Sequence, residues 1–263
     1  MDHRVGDHTY RGGAACPPIM SYAQTNLQLY AQLRVEGYDD VDQSTVVNAY
    51  SLAVRLFAGL HRASGKTFLA HVVGTASALV EAQSRIPVVA AGLLHAAYTH
   101  GEFGDGWRGM TADKRAQVAA VIGHECESLI ARYTEFQWRS DALSKLRQTL
   151  PELGDTDRDV VLMRLANELD DHLDLGILFY ADGERRLQLL EPLSVCVDLA
   201  RDLGHHRLGR ALADAFAAYR AAPIPTGTNR GHWRGSYLVV PASYRPRLRI
   251  RLRHWRARTA AEG

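Results

Sequence analysis

Apolar residues recur at helical spacing along most of the first 220 positions. The stretch from Tyr22 to Glu36 carries them on one face and stops at Gly37. Asp42, Gln43 and Ser44 offer capping oxygens for a helix through Val46, Val47, Tyr50, Val54, Leu56 and Phe57. A further helix is expected from Phe68 to Gln83. Ile86-Pro87 then opens a strongly apolar one that runs through Val88, Ala91 and Leu94 into Ala97, with proline in its first turn. Four glycines between Gly101 and Gly109 mark a loop. Helical spacing resumes over about 112–122, 124–136, 157–179, 184–203 and 206–221. No alternating strand-like run precedes the last forty residues. The pattern predicts an all-α bundle over residues 21–222, a loose N-terminus over 1–20 and a separate C-terminal extension over 223–263.

Composition supports a folded core, since 46% of the 263 residues are apolar. Cys16, Cys126 and Cys196 are too few and too scattered for a C-x-x-C metal or redox motif. Asp2, His3, Arg4, Asp7 and His8 leave no apolar run for a signal peptide. The longest apolar stretch, Ile86 to Ala97, is interrupted by His95 and falls short of the ~20 residues a membrane span needs. A soluble, cytoplasmic protein is expected.

Charge changes the picture of the C-terminus. The formal net charge is +2, yet residues from Ile224 onward hold nine Arg and one Glu, a balance of +8 that leaves −6 on the remainder. Arg245 to Arg258 contains seven arginines in fourteen positions. Such a run favours an anionic partner. Leu248, Ile250, Leu252 and Trp255 interleave it, which suits a peripheral anionic membrane surface better than nucleic acid. A solvated, weakly ordered tail is the plain alternative.

Candidate chemistry centres on Leu93-Leu94-His95-Ala96-Ala97-Tyr98-Thr99-His100. A histidine closing an apolar helix is either a metal ligand or a buried ring bonded to a carbonyl. His124, His172 and His205-His206 read as surface, capping or helix-boundary residues. Tyr98 and Trp107 flank the glycine loop and could wall a cleft.

Three segments together resemble the hydrolase domain of guanosine tetraphosphate synthetase/hydrolase enzymes, part of the HD superfamily of metal-dependent phosphohydrolases. They are Ala49-Tyr50-Ser51-Leu52-Ala53, His61-Arg62-Ala63-Ser64-Gly65-Lys66-Thr67-Phe68-Leu69-Ala70-His71 and Ala90-Ala91-Gly92-Leu93-Leu94-His95. Arg164-Leu165-Ala166-Asn167-Glu168-Leu169-Asp170-Asp171 falls where the family's later motif belongs, so the resemblance spans about 46–180.

The resemblance implies an HD-type helical fold and a metal held by His71 and His95. The family's other two ligands are aspartates, matched here by Ala96 and Asn167. Its catalytic Glu-Asp pair is matched by Thr99 and His100. Two imidazoles and an amide bring no charge to a hard divalent ion, so the family's usual hydrolysis is not expected.

Two readings follow. In the first the site is rebuilt as a metal centre for one Fe or Zn ion, from His71, His95, His100 and Asp170 or Asp171. Asp170 stands at i+3 from Asn167, and His100 and Glu102 are the candidate catalytic groups. The reaction would be hydrolysis or, less in keeping with Ala96, oxidation of a small, phosphorylated molecule. In the second, no metal is held, and Arg62, Lys66 and Asn167 bind a small anion or nucleotide.

Overall fold

The computed structural model describes residues 22–139, 142–179, 193–223 and 235–240. Local capping chemistry sets where most helices begin. Thr25 and Gln28 form a capping box at the start of α1 (Asn26–Val35). Asp39 accepts from Val41 N–H and Asp42 N–H, so α2 (Asp40–Phe57) starts ahead of the expected Asp42–Ser44 cap. Asp42 closes that box instead of capping the helix itself. Thr67 caps α3 (Phe68–Glu81). Thr111 caps α6 (Ala112–Ile122), and Gly123, with φ +84°, ends it and admits α7 (His124–Glu135).

The apolar helix α4 (Ile86–Leu94) is buried at every position from Val88 to Leu94. The sequence pattern carries it on into Ala97. The backbone instead breaks at His95–Ala96 and restarts as the short α5 (Ala97–His100). α8 (Leu143–Thr149) was not foreseen, because seven residues with one buried leucine leave too short a periodic signal. The expected 157–179 helix is α9 (Asp155–Leu173) followed by a turn of 3-10 helix at Gly176–Phe179. α10 (Val195–Asp202) and α11 (His206–Ala221) complete the helical set. The expected start of a helix at Glu184 lies outside the described residues.

α3 and α4 pack together at the centre, with α2 against α4 and α1 against α3. α7 covers α4, and α9 lies along α3 and α7, itself covered by α11. The chain is thus all-α apart, among the described residues, from one two-stranded ribbon. Its strands are β1 (Leu60–His61) and β2 (Tyr237–Leu238), antiparallel with Leu60 opposite Leu238 and His61 opposite Tyr237. Part of the C-terminal extension therefore returns to the helical body. The Arg245–Arg258 run lies outside the described residues, as do residues 1–20. No helix among the described residues is long and apolar enough to cross a membrane.

Candidate functional site

Three elements build a buried polar cluster: the loop between β1 and α3, the first turn of α3, and the last two turns of α9. The loop is closed by Arg62 N–H to Lys66 O at 2.8 Å and Gly65 N–H to Arg62 O at 2.9 Å. Gly65 has φ +91°, which a side chain would resist. This tight turn sends Arg62 and Lys66 in the same direction, toward His71 and α9.

His71 is fully buried. Its Nδ1 lies 2.7 Å from Asp170 Oδ2, and its Nε2 lies 2.8 Å from an Arg62 guanidinium nitrogen. Arginine only donates, so Nε2 must accept and Nδ1–H must donate to Asp170. The ring is therefore neutral with one tautomer fixed. Burial, with Arg62 beside it, holds His71 well below the usual histidine range.

The second Arg62 nitrogen pairs with Asp171 Oδ1 at 2.7 Å. Lys66 Nζ sits 2.8 and 3.0 Å from the two Asp170 oxygens and 3.2 Å from Asp174. Burial raises the Asp170 carboxyl and Lys66 opposes that rise. Burial works against the Lys66 ammonium too, yet Asp170 and Asp174 raise it above its ordinary value. With contacts this short, the pair is ammonium and carboxylate. Asp170 reaches α3 only because residue 74 is glycine; a Cβ there would overlap the Asp170 carboxylate.

His95 is also buried, and its ring stands 5.2 Å from that of His71, edge to face. Its Nδ1–H donates to Gly92 O at 2.8 Å. Burial and the His71 ring lower it to about 3, so it too is neutral. The buried-histidine-on-a-carbonyl reading describes its Nδ1 side correctly.

His71, Asp170 and Asp171 present ligand atoms within 4.8 Å of one another and could together hold a metal ion. His95 and His100, the other expected ligands, are not members of that group. His100 packs on Phe68, with ring centres 5.0 Å apart, and its Nδ1 meets Thr99 Oγ1 at 2.9 Å. Burial, then Arg62 and Arg108, lower its pKa. Glu102 goes elsewhere. It lines a cleft with Leu52, Arg55, Leu56 and Phe103, between α2 and α6, and its N–H donates to Leu56 O. Asn167 Nδ2 donates to Asp171 Oδ2 at 3.3 Å.

Of the other histidines, His124 is the exposed first residue of α7 and His205 precedes α11, as expected. His172 differs: it is buried against Phe216 and Tyr219 and donates to Glu168 O, so it is a core residue.

The sequence reading missed Tyr133, Arg164 and Glu168. The Tyr133 ring lies 5.1 Å from His95, and the Arg164 guanidinium stacks 3.6 Å over Tyr133. Glu168 accepts from Trp138 Nε1 at 2.9 Å, and burial, together with the nearby Asp171, raises its carboxyl. A signal existed. Positions 164, 167, 168 and 171 follow the i, i+3, i+4, i+7 spacing of one helix face, and all four are polar.

A family model described as "Domain of unknown function (DUF6817)" matches residues 54–137, less than half of the chain. It takes in Arg62, Lys66, His71 and His95 but stops short of α9, which supplies Asp170 and Asp171. No curated protein matches the chain.

Proposed function

We propose that this chain is a divergent HD-type helical module that binds a small, phosphate-bearing molecule without a resident divalent ion. One observation carries the reading. The Arg62 guanidinium bridges His71 Nε2 and Asp171 Oδ1, where a bridging cation would otherwise stand. Lys66 neutralises Asp170 in the same way. Both inward carboxylates thus have a built-in cation, which offsets the charge a metal would otherwise meet. The donor set, as arranged, does not fit an ion unless Arg62 leaves.

Arg62 is one-fifth exposed, and His100 packs on the same Phe68 ring that the Arg62 guanidinium overlies. Such a group suits a phosphate, which takes charge-assisted hydrogen bonds from guanidinium and imidazole. A second reading, a one-ion Zn or Fe centre, rests on how the two imidazoles are held. Both His71 and His95 have Nδ1–H tied, to Asp170 and to the Gly92 carbonyl, as metal-bound imidazoles do. Glu102 gives neither reading a base at this cluster.

Metal analysis and thermal melts of wild type and Arg62→Ala separate the two. The binding reading expects wild type purified without added metal to carry almost none. Pyrophosphate or a guanosine nucleotide should raise its melting temperature, and Zn²⁺, Fe²⁺ and Mn²⁺ should not. Arg62→Ala should lose the response to anions and gain one to Zn²⁺. A full equivalent of metal in wild type, or a metal-dependent rise in its melting temperature, would establish the metal centre instead.

A further inference from the structure

The loop that carries both cluster cations is clasped from outside by the C-terminal segment. Val239 N–H donates to Gly59 O at 2.8 Å, Leu60 and His61 pair with Leu238 and Tyr237, and the His61 ring stacks on Tyr237 with centres 5.4 Å apart. His61 is also bridged to Thr67. β1, the 62–66 turn and Thr67 therefore form a narrow ribbon, and β2 is its added outer strand. Arg62 directly follows β1.

The clasp is specific but weakly held. Gly59 has φ +81°, and a Cβ there would come within 2.7 Å of Val239 O, so only glycine admits the strand. Two residues of pairing are marginal by themselves. Leu238, Val239 and Val240 are 51%, 45% and 39% exposed, so little apolar burial reinforces the pairing. Five residues beyond Val240 the sequence enters the Arg245–Arg258 run, with Leu248, Ile250, Leu252 and Trp255 between its arginines.

We propose that β2 is a releasable strap over the Arg62 loop, and that an anionic lipid surface, by capturing the arginine-rich segment, draws it off β1. Interleaved apolar residues favour lipid over nucleic acid, since they gain nothing from a phosphate backbone and can enter the acyl boundary. Seven arginines drawn to such a surface act together against the few hydrogen bonds of the clasp. Release removes the outer strand from the ribbon that Arg62 directly follows, and so gives Arg62 more freedom to meet a ligand. That last consequence rests on the proposed anion-binding role of Arg62; strap release itself does not.

Hydrogen exchange on the full chain tests this, with vesicles of equimolar phosphatidylglycerol and phosphatidylcholine and with phosphatidylcholine alone. The expected result is a roughly tenfold loss of protection at 59–61 and 237–239 with the anionic vesicles only. α3 and α4 should stay protected. Gly59→Ala should show the same loss without vesicles and leave vesicle binding intact. Vesicle binding with the clasp still protected overturns the proposal. So does absence of binding, or an equal response to single-stranded RNA. If the strap is released as described while Arg62→Ala still responds to pyrophosphate like wild type, the ligand reading fails and the strap stands.

Discussion

Two buried polar clusters sit in this bundle, and they are built for different ends. In one, Lys114 donates to Trp107 O and Gly109 O and pairs with Asp105, while Glu127 accepts from Tyr98 Oη and Arg115. These partners lie within 29 residues of one another, and together they pin the glycine loop to α6 and α7. Each strong donor or acceptor in it meets a local partner of opposite character. In the other, His71 meets Asp170 across 99 residues and Lys66 meets it across 104. Here two neutral imidazoles keep Nε2 unprotonated, and one of those lone pairs is stoppered by a partly exposed arginine. Burial of charge is common to both clusters and distinguishes nothing. A lone pair held against a partly exposed cation is found in the second.

That contrast can be broken experimentally. Asp170→Ala should have the largest effect, about 4 kcal/mol in urea denaturation, because it takes the carboxylate from the buried His71 Nδ1–H and leaves Lys66 only the exposed Asp174. A loss under about 1 kcal/mol would mean that the cluster is looser and wetter than its geometry implies.

Acid should act next, through the same histidines. In the unfolded chain they titrate near 6.5, whereas folded His95 titrates at about 3 and His71 well below 6.5. The unfolded state therefore takes up protons first as the pH drops below 6.5. Stability should be fully present above that value and fall below it, for His95 down to about pH 3 at up to about 1 kcal/mol per pH unit, with His71 acting in the same direction. Urea midpoints between about pH 7.5 and 4.5 check this, and His95→Gln should flatten the slope. An unchanged slope would show that His95 takes up protons alike in the folded and unfolded protein.

The smallest effect sharpens the contrast rather than attacking it. Glu127→Gln should cost about 2 kcal/mol by weakening the bonds from Tyr98 and Arg115. Stabilisation by pyrophosphate should be unaltered, since Glu127 serves the loop alone. If that stabilisation vanishes, the two clusters are energetically one.

Much of the fold was legible in the chain because periodicity and caps are local. α6 and α11 fall where apolar spacing placed them, and α4 follows the Ile86-Pro87 signal. The break at His95–Ala96 was not legible, since nothing in Leu-Leu-His-Ala-Ala forbids a continuing helix; packing around a buried ring decides it. β1 and β2 escaped for another reason. Two-residue strands carry no alternation, and their partners lie 178 residues apart at the Leu60–Leu238 pair.

The site was legible by residue but not by arrangement. His71 and the Asp170–Asp171 pair could be chosen from spacing and resemblance, and they do converge. Glu102 and His100 were chosen for closeness in sequence to His95, and the turn at Gly101 sends Glu102 to the α2–α6 cleft. Lys66, expected near a ligand phosphate, is instead the counter-ion of Asp170.

The sequence by itself determined that this is a helical protein with a core, a histidine at the end of its most apolar helix, and an arginine-rich extension. Those properties follow from short-range patterns that each segment carries alone. Only the tertiary structure decided that Arg62 fills the space between His71 and Asp171, that Asp170 is spent on Lys66, and that the extension returns to clasp β1. The reason is physical. A charge in a low-dielectric interior takes whichever partner the packing brings within about 3 Å, and that partner is set by how α9 lies on α3.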